Sequence, residues 1–88
     1  MTRYELRVAA SAARSLDRLP EAVAAAIVEF MTGQLLDDPK RVGKPLTRQL
    51  AGYWSARRGA YRVVYALDEQ AGLVLVARID HRADVYRP

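Results

Sequence analysis

Hydrophobic and polar positions change their period along this chain, and the changes mark its elements. Tyr4, Leu6 and Val8 alternate with Glu5, Arg7 and Ala9, the two-residue period of a strand with one buried face. Ser11 can cap a short helix running to about Leu19, with Leu16 and Leu19 on its apolar side. Pro20 stops that helix and suits the first turn of the next, where Glu21 complements the positive end of the helix dipole. Val23, Ile27, Phe30, Met31 and Leu35 then recur at three- and four-residue spacing, one apolar stripe on a second helix. Asp37-Asp38-Pro39 ends it, because the residue before a proline avoids the helical region. With almost no loop between them, the two helices must form a tight hairpin.

Lys40 to Gly52 reads as a connecting segment. Strands follow at about Tyr53–Arg58, Tyr61–Asp68 and Leu73–Asp80, with Gly59 and Gly72 at the turns. The expected fold is α+β: an N-terminal strand, a short helical hairpin, then a three-stranded antiparallel meander with the helices on one face of the sheet. Alternation assigns the faces. Tyr61, Val63, Tyr65 and Leu67 point one way, and Arg62, Val64 and Ala66 the other. In the last strand Leu73, Leu75, Ala77 and Ile79 oppose Val74, Val76, Arg78 and Asp80. A helix hairpin covers one face only, expected to be that of Tyr61 and Leu75. The other stays open with Arg62 and Arg78 on it, joined by Tyr53, Ser55 and Arg57 from the preceding strand.

Composition narrows the function. Eighty-eight residues make a single domain, 1–88, and cysteine is absent, so neither a disulfide framework nor a thiolate metal site is available. One histidine does not make a zinc site, and no metal or cofactor is implied. The apolar run from Ala22 to Met31 is interrupted by Glu29 and is too short to span a bilayer. The start, Met1-Thr2-Arg3-Tyr4-Glu5, lacks the apolar core of a signal peptide. A cytoplasmic protein with no membrane partner is expected.

The net charge of +4 conceals a segregation. Residues 1–39 sum to −2 and residues 40–88 to +6, and Lys40 to Tyr65 holds seven basic side chains and no acid. That is the footprint of a surface for a polyanion or an acidic protein partner. The competing reading is a solvated face in an arginine-rich chain, twelve of the fourteen cations being arginine.

Leu16-xx-Leu19-Pro20, Asp38-Pro39, Lys44-Pro45-Leu46, Leu50-xx-Tyr53-Trp54, Gly59-Ala60-Tyr61-Arg62-Val63-Val64-Tyr65 and His81-Arg82-xx-Val85-Tyr86 occur in that order. Together they resemble the RelE/ParE superfamily of bacterial type II toxin-antitoxin toxins, and the resemblance covers nearly the whole chain. It implies a small α+β toxin held by a cognate RelB-like antitoxin, with operator DNA bound only through that antitoxin. For RelE-like members it implies cleavage of mRNA in the ribosomal A site. ParE-like members inhibit DNA gyrase instead, and a weakly active member would serve mainly as antitoxin partner and co-repressor. The short helices, the terminal histidine and tyrosine and the acid-free stretch favour the RelE-like branch.

Metal-free RNA cleavage needs a base for the 2′-hydroxyl, cations on the pentacovalent phosphate and an acid for the departing 5′-oxygen. His81 is the one side chain whose ordinary pKa, about 6.5, lies near working pH, and is assigned general acid or base without choosing between them. Arg62, mid-strand on the open face, is the first candidate for the phosphate, with Arg57 beside it and Arg82 as a second source of charge. Tyr86 would stack on a base, orient the nucleophile or donate a proton. Lys40, Arg41, Lys44, Arg48, Arg58 and Arg78 complete the expected RNA-binding set. Plainer roles compete: an ion pair from Arg62 to Asp80 or Asp84, a polar strand end for His81, a core plug for Tyr86, a turn flank for Arg57-Arg58. One departure stands out. RelE-like enzymes often carry lysines on the open face of the strand after the connector, where this chain has Tyr53 and Ser55. The chain ends two residues past Tyr86, leaving no room for a C-terminal helix, so the groove that such a helix would fill is expected to accept a helix of the antitoxin.

Overall fold

A computed structural model of the chain describes residues 3–81. Five strands form one sheet: β1 (Glu5–Val8), β2 (Lys44–Pro45), β3 (Tyr53–Arg58), β4 (Tyr61–Asp68) and β5 (Leu73–His81), in the spatial order β1-β5-β4-β3-β2. β1 runs parallel to β5, and every other pairing is antiparallel. Between β1 and β2 lie α1 (Ala10–Asp17), α2 (Glu21–Thr32) and two single turns, α3 (Gln34–Asp37) and α4 (Pro39–Val42). The expected strands, the helical hairpin and the meander are all present.

The core forms where the apolar stripe of α2 meets one sheet face. Ile27, Phe30, Met31 and Leu35 are buried there against Val63, Tyr65, Val74 and Val76. Full burial of a side chain of this size is worth about 1.5–3 kcal/mol, so this layer supplies most of what orders a chain of this length. No helix among the described residues covers the other face.

Three expectations are corrected. Ser11 does not cap α1; Ala9 holds that position, and the Ser11 hydroxyl donates to the carbonyl of Ala77 at 2.9 Å. The helical run from Pro20 does not continue through Leu35. It stops at Gly33, where the guanidinium of Arg3 reaches the carbonyls of Thr32 and Gly33 and turns the chain into α3. The third correction concerns β5. Tyr65 pairs with Val76 but Val64 pairs with Arg78, so Ala77 is an extra residue, a bulge. One extra residue exchanges the faces of everything before it. Val74 and Val76 therefore enter the core and Leu75 is 42% exposed, while Arg78, Ile79 and Asp80, beyond the bulge, keep their expected sides. The hydroxyl of Ser11 satisfies the Ala77 carbonyl, which the bulge takes out of the ladder.

Candidate active site on the open face

The open face gathers side chains from four strands. In β4 these are Arg62 and Val64, and in β3 the facing residues are Arg57 opposite Arg62 and Ser55 opposite Val64. Directly opposed positions share a face and lie close enough for their side chains to interact. Arg78 and Asp80 of β5 stand opposite Val64 and Arg62 on the far side. Val64 is only 4% exposed yet lies outside the helix-side core, so it forms the floor between these polar groups.

The remaining wall comes from a strand that sequence reasoning missed. Within the connector, Lys44 and Pro45 pair antiparallel with Ser55 and Trp54, extending the sheet by a two-residue edge strand. Proline is tolerated there because an edge strand need not donate outward. The Leu46 N–H closes the pairing onto the Tyr53 carbonyl at 2.8 Å. Lys44 thus stands opposite Ser55 on the same face as Arg57 and Arg62. Gly43-Lys44-Pro45 followed by alternating Tyr53-Trp54-Ser55-Ala56 is the signal, too short for periodicity to detect.

Together Val42, Gly43, Lys44, Ser55, Arg57 and Arg62 line a cavity of about 400 Å³. Three cations converge on it, and among the described residues none of the three forms an ion pair. Arg57 and Arg62 face each other across the ladder, where like charges are destabilising. An anion between them turns that cost into two charge-assisted contacts, and guanidinium suits phosphate oxygens in particular.

The connector that carries Lys44 is pinned from below. The Tyr65 hydroxyl donates to the Pro39 carbonyl at 2.6 Å. Burial pushes the Tyr65 phenol up to about 12, so it stays a donor through the working range. Gly43 packs directly against that hydroxyl.

The other sequence-nominated residues are spread more widely. Arg58 points to the helix side, its guanidinium 4.6 Å from the centre of the Phe30 ring and hydrogen-bonded to Gln34 Oε1 at 3.2 Å. It does not share a face with Arg62, because successive strand residues alternate. Arg78 is on the open face but is bound to Asp80 at 2.9 Å. Asp80, an expected partner of Arg62, is thereby engaged elsewhere. Lys40 sits on α4 against Glu69, whose carboxylate raises the ammonium pKa by hydrogen bond and charge. Arg41 is exposed on α4, and Arg48 begins a single 3-10 turn at φ 59°, outside the cavity lining.

His81 differs most from expectation. It pairs with Tyr61, and the two rings meet edge to face with centroids 5.1 Å apart. That places it on the face of Val63 and Ile79, away from Arg62. Arg82 and Tyr86 lie outside the described residues. Among the described residues no group of three histidines or carboxylates could hold a metal ion, and no helix is long and apolar enough to cross a membrane.

A five-stranded sheet of this order, with a helical hairpin on one face and basic residues on the other, sits beside the matches to known proteins. Residues 6–86 match the family described as ParE toxin of type II toxin-antitoxin system, parDE. The chain belongs to the RelE/ParE family of type II toxins. It is 51% identical over 84 residues to toxin RelG of Mycobacterium tuberculosis, covering 96% of this chain and 97% of that protein. To toxin RelE of the same organism it is 52% identical over 84 residues, covering 96% and 87%. Its fold matches the toxin-antitoxin complex RelBE2 of M. tuberculosis with a TM-score of 0.89 at 48% identity, over 92% of this chain and 100% of that one. An archaeal RelE-RelB complex from Pyrococcus horikoshii shares the fold with a TM-score of 0.72 at 22% identity, over 92% of this chain and 97% of that one.

Membership of this family agrees with the resemblance seen in the hairpin and terminal motifs. On the helix side a second, mainly apolar groove of about 510 Å³ runs between α2 and the β3–β4 turn, lined by Val23, Ala26, Ile27, Arg58 and Tyr61.

Proposed function

We propose that this toxin is a metal-independent endoribonuclease that cuts mRNA in the ribosomal A site in the cytoplasm, and that a cognate RelB-like antitoxin neutralises it. The observation that carries this reading is the convergence of Lys44, Arg57 and Arg62 on one open-face cavity. A gyrase binder needs a complementary surface, but it does not need three cations around one cavity. The relatives at 51% and 52% identity, named RelG and RelE, support the same branch.

In this reading Arg62 and Arg57 clamp the scissile phosphate and gain strength as charge builds on its oxygens in the transition state. Ser55, between them and Lys44, is within the same cavity and can hydrogen-bond the sugar or a phosphate oxygen. Sequence alone adds Arg82 as a further cation and Tyr86 as a stacking or proton-donating group. His81, placed against Tyr61, holds the end of β5 in line; proton transfer at the Arg62 phosphate falls to other groups. The apolar groove beside α2 takes an amphipathic helix of the antitoxin, which leaves operator DNA to the antitoxin.

Brief induction of the chain in cells, with mapping of RNA 5′ ends, tests the reading. New ends at codon-registered positions inside translated regions, lost in Arg62→Ala, support it. Intact transcripts together with growth arrest and DNA damage move the function to gyrase, as the ParE description of the matching family would have it.

A further inference from the structure

We propose that Lys44 is the general acid of the RNA cleavage, an assignment that rests on the nuclease reading above. Three observations converge on it. The strand after the connector carries no lysine on its open face; Tyr53 and Ser55 occupy those positions. The only cations that β3 and β4 contribute to the cavity are Arg57 and Arg62, and a guanidinium does not release a proton in proteins. The edge strand β2 then sets Lys44 directly opposite Ser55, in the cavity wall beside both arginines. A lysine absent from one strand is supplied from its neighbour across the ladder.

The position is built rather than incidental. Gly43 is the residue immediately before Lys44, and a side chain there would collide with Tyr65 and the Ser55 carbonyl. The Tyr65 hydroxyl ties the preceding turn at Pro39, and two residues after Lys44 the Leu46 N–H donates to the Tyr53 carbonyl. The backbone of Lys44 is fixed on both sides while its side chain is exposed at the cavity mouth. His81, a second candidate for carrying a proton, faces Tyr61, and Tyr86, a third, lies outside the described residues.

The step balances without an external reagent other than water. The 2′-oxygen forms a bond to phosphorus as the bond from phosphorus to the 5′-oxygen breaks. The proton of the 2′-hydroxyl passes to water. The ammonium of Lys44 gives its proton to the departing 5′-oxygen, and a solvent proton restores it. The products are a 2′,3′-cyclic phosphate and a 5′-hydroxyl, with Arg57 and Arg62 carrying the charge of the phosphorane between.

A leaving-group substitution tests the assignment. Ribosomes are programmed with a short mRNA whose A-site codon carries either the normal linkage or a bridging 5′-sulfur, which departs as a thiolate and needs no proton. Single-turnover cleavage of the normal linkage should slow about 100-fold or more in both Lys44→Ala and Lys44→Arg, the usual scale of acid catalysis. The sulfur linkage should bring Lys44→Arg back to within about tenfold of the unsubstituted chain. Lys44→Arg cleaving the normal linkage at full rate would reduce Lys44 to a charge and overturn the assignment. A sulfur linkage that remains as slow as the normal one in Lys44→Arg would overturn it as well. If the unsubstituted chain cleaves neither substrate, the nuclease reading itself fails and takes this assignment with it, a result distinct from the other two. Melting curves of the variants exclude loss of fold as the cause, since Lys44 is exposed on a two-residue edge strand.

Discussion

The hydroxyl of Tyr65 fills the space that a side chain on Gly43 would need, and the Ser55 carbonyl crowds the same space at 3.0 Å. The contact joins the core to the cavity. Tyr65 is a fully buried residue of the central strand, and its far end supports the connector that delivers Lys44. Packing on the helix side of the sheet is thus linked to charge on the other.

Gly43→Ala therefore destabilises the fold by about 1–3 kcal/mol, the range for forced overpacking, and lowers cleavage by displacing Lys44. Gly43 is at φ −125°, so the cost comes from the collision and not from backbone strain. Chemical denaturation of Gly43→Ala, Tyr65→Phe and the double variant checks this. The double variant should lose less than the sum of the two single losses, because removal of the hydroxyl relieves part of the clash. Strict additivity would show that the two do not meet.

Tyr65→Phe leaves the Pro39 carbonyl without its partner and costs about 1–3 kcal/mol. It also changes the alkaline limb of stability. The folded-state phenol is raised to about 12 by burial, above its ordinary value near 10. The folded state therefore holds the proton where the unfolded chain has lost it. That contribution is complete below about pH 10 and disappears as pH rises from there through about 12. Denaturation midpoints between pH 9 and 12 should fall more steeply for the unsubstituted chain than for Tyr65→Phe.

Much of this fold is legible in the sequence because periodicity reports which face a residue uses. The stripe on α2 and the alternation of β4 place Ile27, Phe30, Val63 and Tyr65 correctly in the core. The errors share one cause: a single residue or a short pairing decides a face without leaving a periodic trace. Ala77 as a bulge moves Leu75 out and Val76 in. Two residues of β2 bring Lys44 to the cavity, although the sequence suggests only a basic connector. His81 lies beyond the bulge, two residues from Ile79, so unbroken alternation alone puts it on the helix side opposite Tyr61. Arg57 and Arg62 are legible as a pair because the hairpin between them is short and its turn glycine, Gly59, sits at φ 59°.

His81→Ala should leave cleavage within about tenfold of the unsubstituted chain, well short of the loss expected for an acid or base. It should cost stability instead, about 0.5–1.5 kcal/mol for the lost edge-to-face contact with Tyr61. Ribosome-dependent cleavage and thermal melting of the same preparation separate the two effects. A loss of 100-fold or more at unchanged stability would return His81 to the chemistry.

Arg58→Met should behave in the opposite way to its neighbour Arg57→Ala. The former removes a guanidinium stacked on Phe30 and bonded to Gln34, losing about 0.5–1 kcal/mol, and leaves RNA cleavage intact. The latter removes a cation from the cavity, slowing cleavage with little change in melting. Paired assays on the two variants check whether adjacent arginines divide between stability and function as the alternation of β3 requires.

The most direct measurement is single-turnover cleavage of an A-site codon on purified programmed ribosomes by the unsubstituted chain and by Arg62→Ala, without added metal beyond that which ribosomes require. The account predicts a cut within the A-site codon that leaves a cyclic phosphate and a 5′-hydroxyl, slowed by about 100- to 1,000-fold in the variant, as for loss of one preorganised charge contact. Equal rates for the two proteins, or no cut by either, would contradict a phosphate site on the open face.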